Sequence, residues 1–351
     1  MSIREEFEER ERRFMSSHGC LSAGSRGRIR PEILRDVRTV FQLDRDRIVY
    51  CNAFRRMKYK TQVFLSPMGD QYRTRLTHTL EVAQIARTIA RAMYMNEDLV
   101  EAIALGHDLG HTPFGHSGET ALKEIFLNSF AHNEQSLRVV DLLENKGRGL
   151  NLTYEVRDGI LKHSKGYGKI MPENINEKPF TVEGQIVRFA DIMAYLNHDL
   201  EDAIRSKVIC EDQVPKSCID VLGRTHPDRA TTMMRDIIFS SKAEQGEFVL
   251  NMSDEVSEAM TILRKFLYDN VYRSDKVHKE FIKAKKILSE LFDFFLNNSS
   301  QLEQEMIQLE MEHCMSNGQP YERIVCDFIA SMTDRYAMSL YAKLFFPLPV
   351  V

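Results

Sequence analysis

Apolar residues return every three or four positions along most of the chain, the period of helices with one buried face. From Thr77 to Met95 the positions Val82, Ile85, Ala86, Ile89, Ala90 and Met93 form one such stripe. Leu99 to Leu109 is apolar nearly all round, which predicts a central helix. Glu183 to Arg205 repeats the pattern through Ile186, Phe189, Ala190, Met193, Leu196, Leu200 and Ile204. Ser253 to Tyr272, Lys276 to Asn297 and Tyr321 to Leu344 follow the same period. The two-residue alternation of strands is weak and confined to Lys169–Ile175 and Lys178–Val182, leaving room for one small β-hairpin. Interruptions fall at Ser66–Gln71, Gly110–Gly118, Asn145–Asn151, Lys165–Lys178 and Ser316–Pro320, none of them a Gly/Ser/Pro-rich linker. The pattern predicts an all-α chain forming a single helical domain over 1–351, with its core at about 70–205 and a C-terminal helical extension at about 206–351.

At 351 residues the chain can bury a substantial core. No apolar run approaches the roughly 18 residues needed to cross a bilayer, so no membrane span is expected. Met1 to Arg13 is rich in Glu and Arg and lacks the apolar stretch of a secretion signal. Six scattered cysteines without a C-x-x-C pair suit a reducing compartment, and a cytoplasmic location follows as an expectation. The net charge of −4 hides nine arginines between Arg26 and Arg56. They read either as a solvated basic surface or as a surface for a polyanion, nucleic acid or a small polyphosphate.

Six of the eleven histidines (His78, His107, His111, His116, His132, His163) lie between positions 78 and 163. The densest stretch runs Gly106-His107-Asp108-Leu109-Gly110-His111-Thr112-Pro113-Phe114-Gly115-His116-Ser117-Gly118-Glu119. There an apolar helix ends in an adjacent imidazole and carboxylate. Burying that pair alone is costly, and a divalent cation offsets the cost by taking both as ligands. Further ligands must come from distant segments. His78 opens the first patterned helix, and Asp191 shares one face of a later helix with Tyr195 and Asp199 at i, i+4 and i+8.

His78, the His107-Asp108 doublet and Asp191, in that order on separate helices, resemble the H…HD…D signature of the HD-domain metal-dependent phosphohydrolases. An isolated His-Asp dipeptide is weak; the flanking motifs are far more specific. Ala53-Phe54-Arg55-Arg56, Lys60-Thr61-Gln62-Val63-Phe64, Arg73 to Val82, the Gly-His-Asp-Leu-Gly-His run, Phe130 to Ser136 and Cys326 to Asp334 resemble the deoxyguanosinetriphosphate triphosphohydrolase branch over most of the chain. The resemblance implies an all-helical HD fold, one divalent metal ion, and hydrolysis of a deoxynucleoside triphosphate (dGTP or a broader dNTP range) to deoxynucleoside and inorganic triphosphate. Carried over, the metal ligands are His78, His107, Asp108 and Asp191. His116 and Glu119 match the catalytic His and its acidic partner. Arg75, His111 and His132 match positions facing the phosphates, and Gln62, Tyr195 and Asp199 match positions near the sugar. The mixed ligand set admits Mn, Mg, Fe, Co, Ni or Zn. The resemblance also implies a homo-oligomer, in many relatives a hexamer, with a nucleotide or single-stranded nucleic acid as an activating effector.

Each assignment has a plainer competitor. His107 and Asp108 could be a hydrogen-bonded helix end, His116 and Glu119 an ordinary first-turn pair, and His111 a support for His107. Arg75 could be a structural ion-pair former, Gln62 a loop anchor, Tyr195 a core phenol and Asp199 the partner of an arginine. His163 could border the phosphate site or have no role. His18, His198, His226, His278 and His313 read as structural or exposed, and the 17 methionines as core filler. Two other functions fit the same motifs: an HD-type nucleoside monophosphatase or cyclic phosphodiesterase, and a non-catalytic nucleotide or nucleic-acid-binding module.

Overall fold

Helices make up nearly all the regular structure of the computed structural model, which describes residues 1–63, 73–126, 130–164, 170–172, 174–316 and 318–347. The chain forms two compact units. The first is built from Met1–Val49, His78–His107 and Asn151–Ser274, the second from Tyr50–Thr77, Asp108–Leu150 and Asp275–Val351. Each unit draws on segments from both sides of residue 205.

In the first unit the Val182–Arg205 helix is buried along most of its length, its apolar stripe together with polar residues such as Glu183, Arg188, Asn197 and Asp199. Thr181 starts it by accepting the Gly184 N–H at 3.0 Å. The Glu97–Gly106 and Tyr154–Lys162 helices pack against it and against each other. Asn96 caps the former through the Leu99 N–H, and Glu97 and Asp98 place negative charge at its positive end. Two glycines let these helices approach closely. A Cβ at Gly106 would lie 2.6 Å from Ile160 Cδ1, and one at Gly159 would lie 2.6 Å from Ile103 Cδ1. This close packing brings the two helix ends together, and with them His107 and His163, whose rings lie 4.9 Å apart.

The ladder of strands among the described residues pairs Lys242–Glu244 with Glu247–Val249, antiparallel. Its turn places Gln245 and Gly246 at positive φ, the conformation tight hairpins favour. The expected hairpin at 169–182 is not where strands form. Lys169 and Glu173 lie outside the described residues, Ile175–Glu177 is a 3-10 turn, and the Asn174 side chain accepts the Asn176 N–H, a local bond that competes with a ladder.

In the second unit the Asp275–Asn297 helix buries Ala284, Leu288, Leu291, Phe292 and Phe295, packing on the Gly115–Ile125, Tyr321–Ser331 and Asp334–Phe345 helices. Phe295 meets Phe328 edge-on at 5.2 Å. The apolar stripe from Tyr321 to Leu344 is broken into two helices because Thr333 caps a new one, accepting the Tyr336 N–H.

Candidate functional site

Within the first unit three imidazoles and one carboxylate converge. His78 lies in the Arg75–Ala92 helix, His107 ends Glu97–Gly106, His163 ends Tyr154–Lys162, and Asp191 projects from Val182–Arg205. Ligand atoms of His107, His163 and Asp191 all lie within 4.8 Å of one another. Asp191 Oδ1 is 3.1 Å from His78 Nε2 and 3.9 Å from His107 Nε2. The sequence reading left His163 open, and packing places it here.

Hydrogen bonding decides which nitrogen of each ring carries the proton. His107 Nδ1 donates to the Ala104 carbonyl at 2.6 Å and His163 Nδ1 to the Ile160 carbonyl at 2.7 Å. A carbonyl can only accept, so in the neutral rings Nε2 carries the lone pair. His78 Nδ1 instead lies 2.7 Å from His198 Nε2, and His198 Nδ1 lies 3.0 Å from Asp199 Oδ1. Asp199 Oδ2 accepts from the Tyr272 hydroxyl at 2.5 Å. His198, expected to be structural or exposed, is fully buried here. Burial lowers its pKa against the pull of Asp199, so the ring is neutral. Burial works to raise the Asp191 pKa, but the His78 hydrogen bond and the His107, His78 and His163 imidazoles hold it well below the carboxylate range. The Nε2 lone pairs that neutral His107 and His163 would present beside an ionised carboxylate fit a cation. Tyr195, one turn on from Asp191, stays a neutral phenol, pushed up to about 12 mainly by burial.

The second unit holds Gln62, Arg75, Asp108, His111, His116, Glu119 and His132. Asp108 follows His107 through one peptide bond. Arg75 and Asp108 are both buried and paired, Nη1 to Oδ2, at 2.7 Å, and Arg75 also donates to the carbonyls of Thr61 and Gln62. Ligand atoms of Asp108, His111 and His132 again lie within 4.8 Å of one another. His111 stacks on His132, ring centroids 4.8 Å apart. Both nitrogens of His111 and Oε1 of Gln62 are buried with no hydrogen-bond partner among the described residues, a state that native structures rarely leave unexplained. Burial, aided by Arg75, keeps His111 neutral.

Glu119 was expected to orient His116, yet its closest partner is His132. Its Oε1 accepts from His132 Nδ1 at 2.7 Å and from the His132 N–H at 2.9 Å, while Oε2 is 4.0 Å from His116 Nδ1. Burial works to raise the Glu119 pKa, but the His132 charge and hydrogen bond, with His116 beside it, hold it well below its usual value. The pairing raises His132 in turn, against burial. His116, half-exposed in the first turn of Gly115–Ile125, is the reachable imidazole of the group.

The C-terminal helices hold this cluster. Asp334 Oδ2 accepts from the Thr61 N–H and hydroxyl, and its Oδ1 accepts from the Phe114 N–H. Lys60 Nζ donates to the carbonyls of His111 and Ala330. Asp334 thus ties the Gln62 loop to the turn before His116. The backbone leaves no slack there: a Cβ on Gly115, at φ +57°, would sit 2.0 Å from the Gln62 carbonyl oxygen. Asp334→Ala orphans three buried donors and is expected to lower the unfolding free energy by about 2–4 kcal/mol. Urea denaturation measures it, and a loss below about 0.5 kcal/mol would dismiss the clamp.

Many of the arginines between 26 and 56 are spent internally. In the first unit Arg28 is buried against Asp44, Arg38 pairs with Asp46, Arg45 with Asp98 and Glu101, and Arg47 with Glu32. Arg26 stacks on Phe180, 4.2 Å from the ring centroid. In the second unit Arg56 pairs with Glu144.

The HD domain family matches residues 75–196, the span holding His78, His107, Asp108 and Asp191, and the phosphohydrolase-associated domain matches residues 250–343. Fold and site therefore define an HD-domain phosphohydrolase, a class of helical, metal-dependent hydrolases. A deoxyguanosinetriphosphate triphosphohydrolase-like protein of Desulfatibacillum aliphaticivorans is 62% identical over 100% of both chains. One from Caldanaerobacter subterraneus subsp. tengcongensis is 51% identical over 99% of this chain and 97% of its own, and one from Clostridium tetani 43% over 100% and 98%. The chain belongs to the deoxyguanosinetriphosphate triphosphohydrolase-like family. No helix among the described residues is long and apolar enough to cross a membrane.

Proposed function

We propose that the protein hydrolyses deoxynucleoside triphosphates, dGTP or a broader set, to the deoxynucleoside and inorganic triphosphate. The observation that carries this reading is the set of His78, His107 and His163 nitrogens turned toward the ionised Asp191 carboxylate in a chain of this family. In the proposal His78, His107, Asp108 and Asp191 hold one divalent ion: Mn, Mg, Fe, Co, Ni or Zn. Such an ion supplies positive charge and a bound water of lowered pKa.

The chain's own residues do the rest. The substrate brings about four negative charges, which Arg75, His111 and protonated His132 meet; the buried, unbonded nitrogens of His111 suit phosphate oxygens. Glu119 keeps His132 cationic. Gln62 and Tyr195 lie at the sugar end, with a buried amide oxygen and a neutral phenol as hydrogen-bonding groups; Asp199 belongs to the same end. In the reaction a water oxygen bonds to the α-phosphorus, the bond to the nucleoside 5′-oxygen breaks, and His116 gives that oxygen a proton. The same reading makes the protein a cytoplasmic homo-oligomer, such as a hexamer, responsive to a nucleotide or single-stranded nucleic-acid effector.

Incubating the protein with each dNTP and a panel of divalent metals, followed by identification of the phosphate product, tests the reading. Inorganic triphosphate is expected. Orthophosphate alone from a monophosphate would assign the site to a phosphatase, and binding without turnover would make it a sensing module.

A further inference from the structure

Tyr272, Asp199, His198 and His78 form a buried row that ends at the candidate metal centre. Asp199 Oδ1 accepts from His198 Nδ1 at 3.0 Å. His198 Nε2 then faces His78 Nδ1 at 2.7 Å, one hydrogen bond between the two rings. A His78 that turns its Nε2 lone pair to a metal ion must carry its proton on Nδ1, and His198 Nε2 stands where it can accept that proton. His78 Nε2 lies 3.1 Å from Asp191 Oδ1, another residue of the candidate centre. His107 and His163 have their tautomers set by carbonyls three residues back in their own helices. His78 has its tautomer set from outside its helix, by a residue 120 positions away.

We propose that His198, itself held by Asp199 and Tyr272, is a positioning residue that fixes the His78 tautomer and ring for metal binding. The inference rests on the reading of His78 as a metal ligand. Two substitutions separate positioning from mere structural support. Glutamine at 198 is long enough to reach the Nε2 position and offers an oxygen to the His78 N–H. Asparagine stops at the level of Nδ1, so it keeps a polar contact to Asp199 and loses the one to His78.

Metal-stripped full-length wild type, His198→Gln, His198→Asn and His78→Ala are titrated with Mn²⁺ by calorimetry and with Co²⁺ by its visible absorption, folding being checked by circular dichroism. His198→Asn is expected to bind about 10- to 100-fold more weakly, with an altered Co²⁺ spectrum, while His198→Gln stays close to wild type. Equal affinity in His198→Asn and wild type, or equal loss in the Asn and Gln variants, overturns the positioning role while leaving the metal reading intact. Wild-type affinity in His78→Ala defeats the metal reading itself, and the inference with it.

Discussion

Asp191→Ala is expected to leave a folded protein that no longer retains a divalent ion and turns over at least about a thousandfold more slowly. Asp191 is the anion of the first-unit cluster, ionised against the cost of burial and shared by the nitrogens of His78 and His107. Alanine keeps the imidazoles but removes the charge that balances a divalent cation. The affinity loss should exceed the 10- to 100-fold that supporting residues command. If the ion supplies several kcal/mol of charge stabilisation, about 4 kcal/mol already corresponds to a thousandfold. The fold should survive, because Asp191 lies in a helix interior, where alanine is the better helix former. Metal content after gel filtration, circular dichroism and triphosphate release check the three statements together. Full activity in the variant would sink the metal assignment.

His116→Ala is expected to keep its ion and lose about 10²–10⁴-fold in rate, the span of a general acid. The imidazole is half-exposed at the start of the Gly115–Ile125 helix, whose first N–H groups favour an approaching phosphate. Its neighbour His111 is fully buried and His132 is bound by Glu119, which leaves His116 as the exposed imidazole able to meet the departing 5′-oxygen. The proton matters most for a poor leaving group. An aryl phosphodiester with a nitrophenolate leaving group should therefore be far less affected by the substitution than a dNTP. A raised KM with unchanged kcat would make His116 a binding residue.

Much of this could be read from residue order alone. Helical periodicity places Glu183–Arg205 within one residue of the observed Val182–Arg205. The His, Asp and Arg motifs bring out the positions that crowd the two clusters. His198 and Tyr272 escape such reading: one hides in the same face-repeating helix as Asp191, and the other lies beyond any motif. Glu119 near His116 in sequence suggests a pair, whereas its short contact is with His132, 13 residues on.

Residue order determined the helices, the apolar faces and the inventory of imidazoles and carboxylates, because period and adjacency act within one or two turns. Tertiary structure decided what that inventory does. Packing at Gly106 and Gly159 brought His163 beside His107, and Asp334 tied two loops across 273 and 220 residues. The arginines from 26 to 56 were largely turned into internal ion pairs. Which nitrogen of a buried histidine carries its proton depends on the acceptor that packing sets against it, and no spacing along the chain encodes that acceptor.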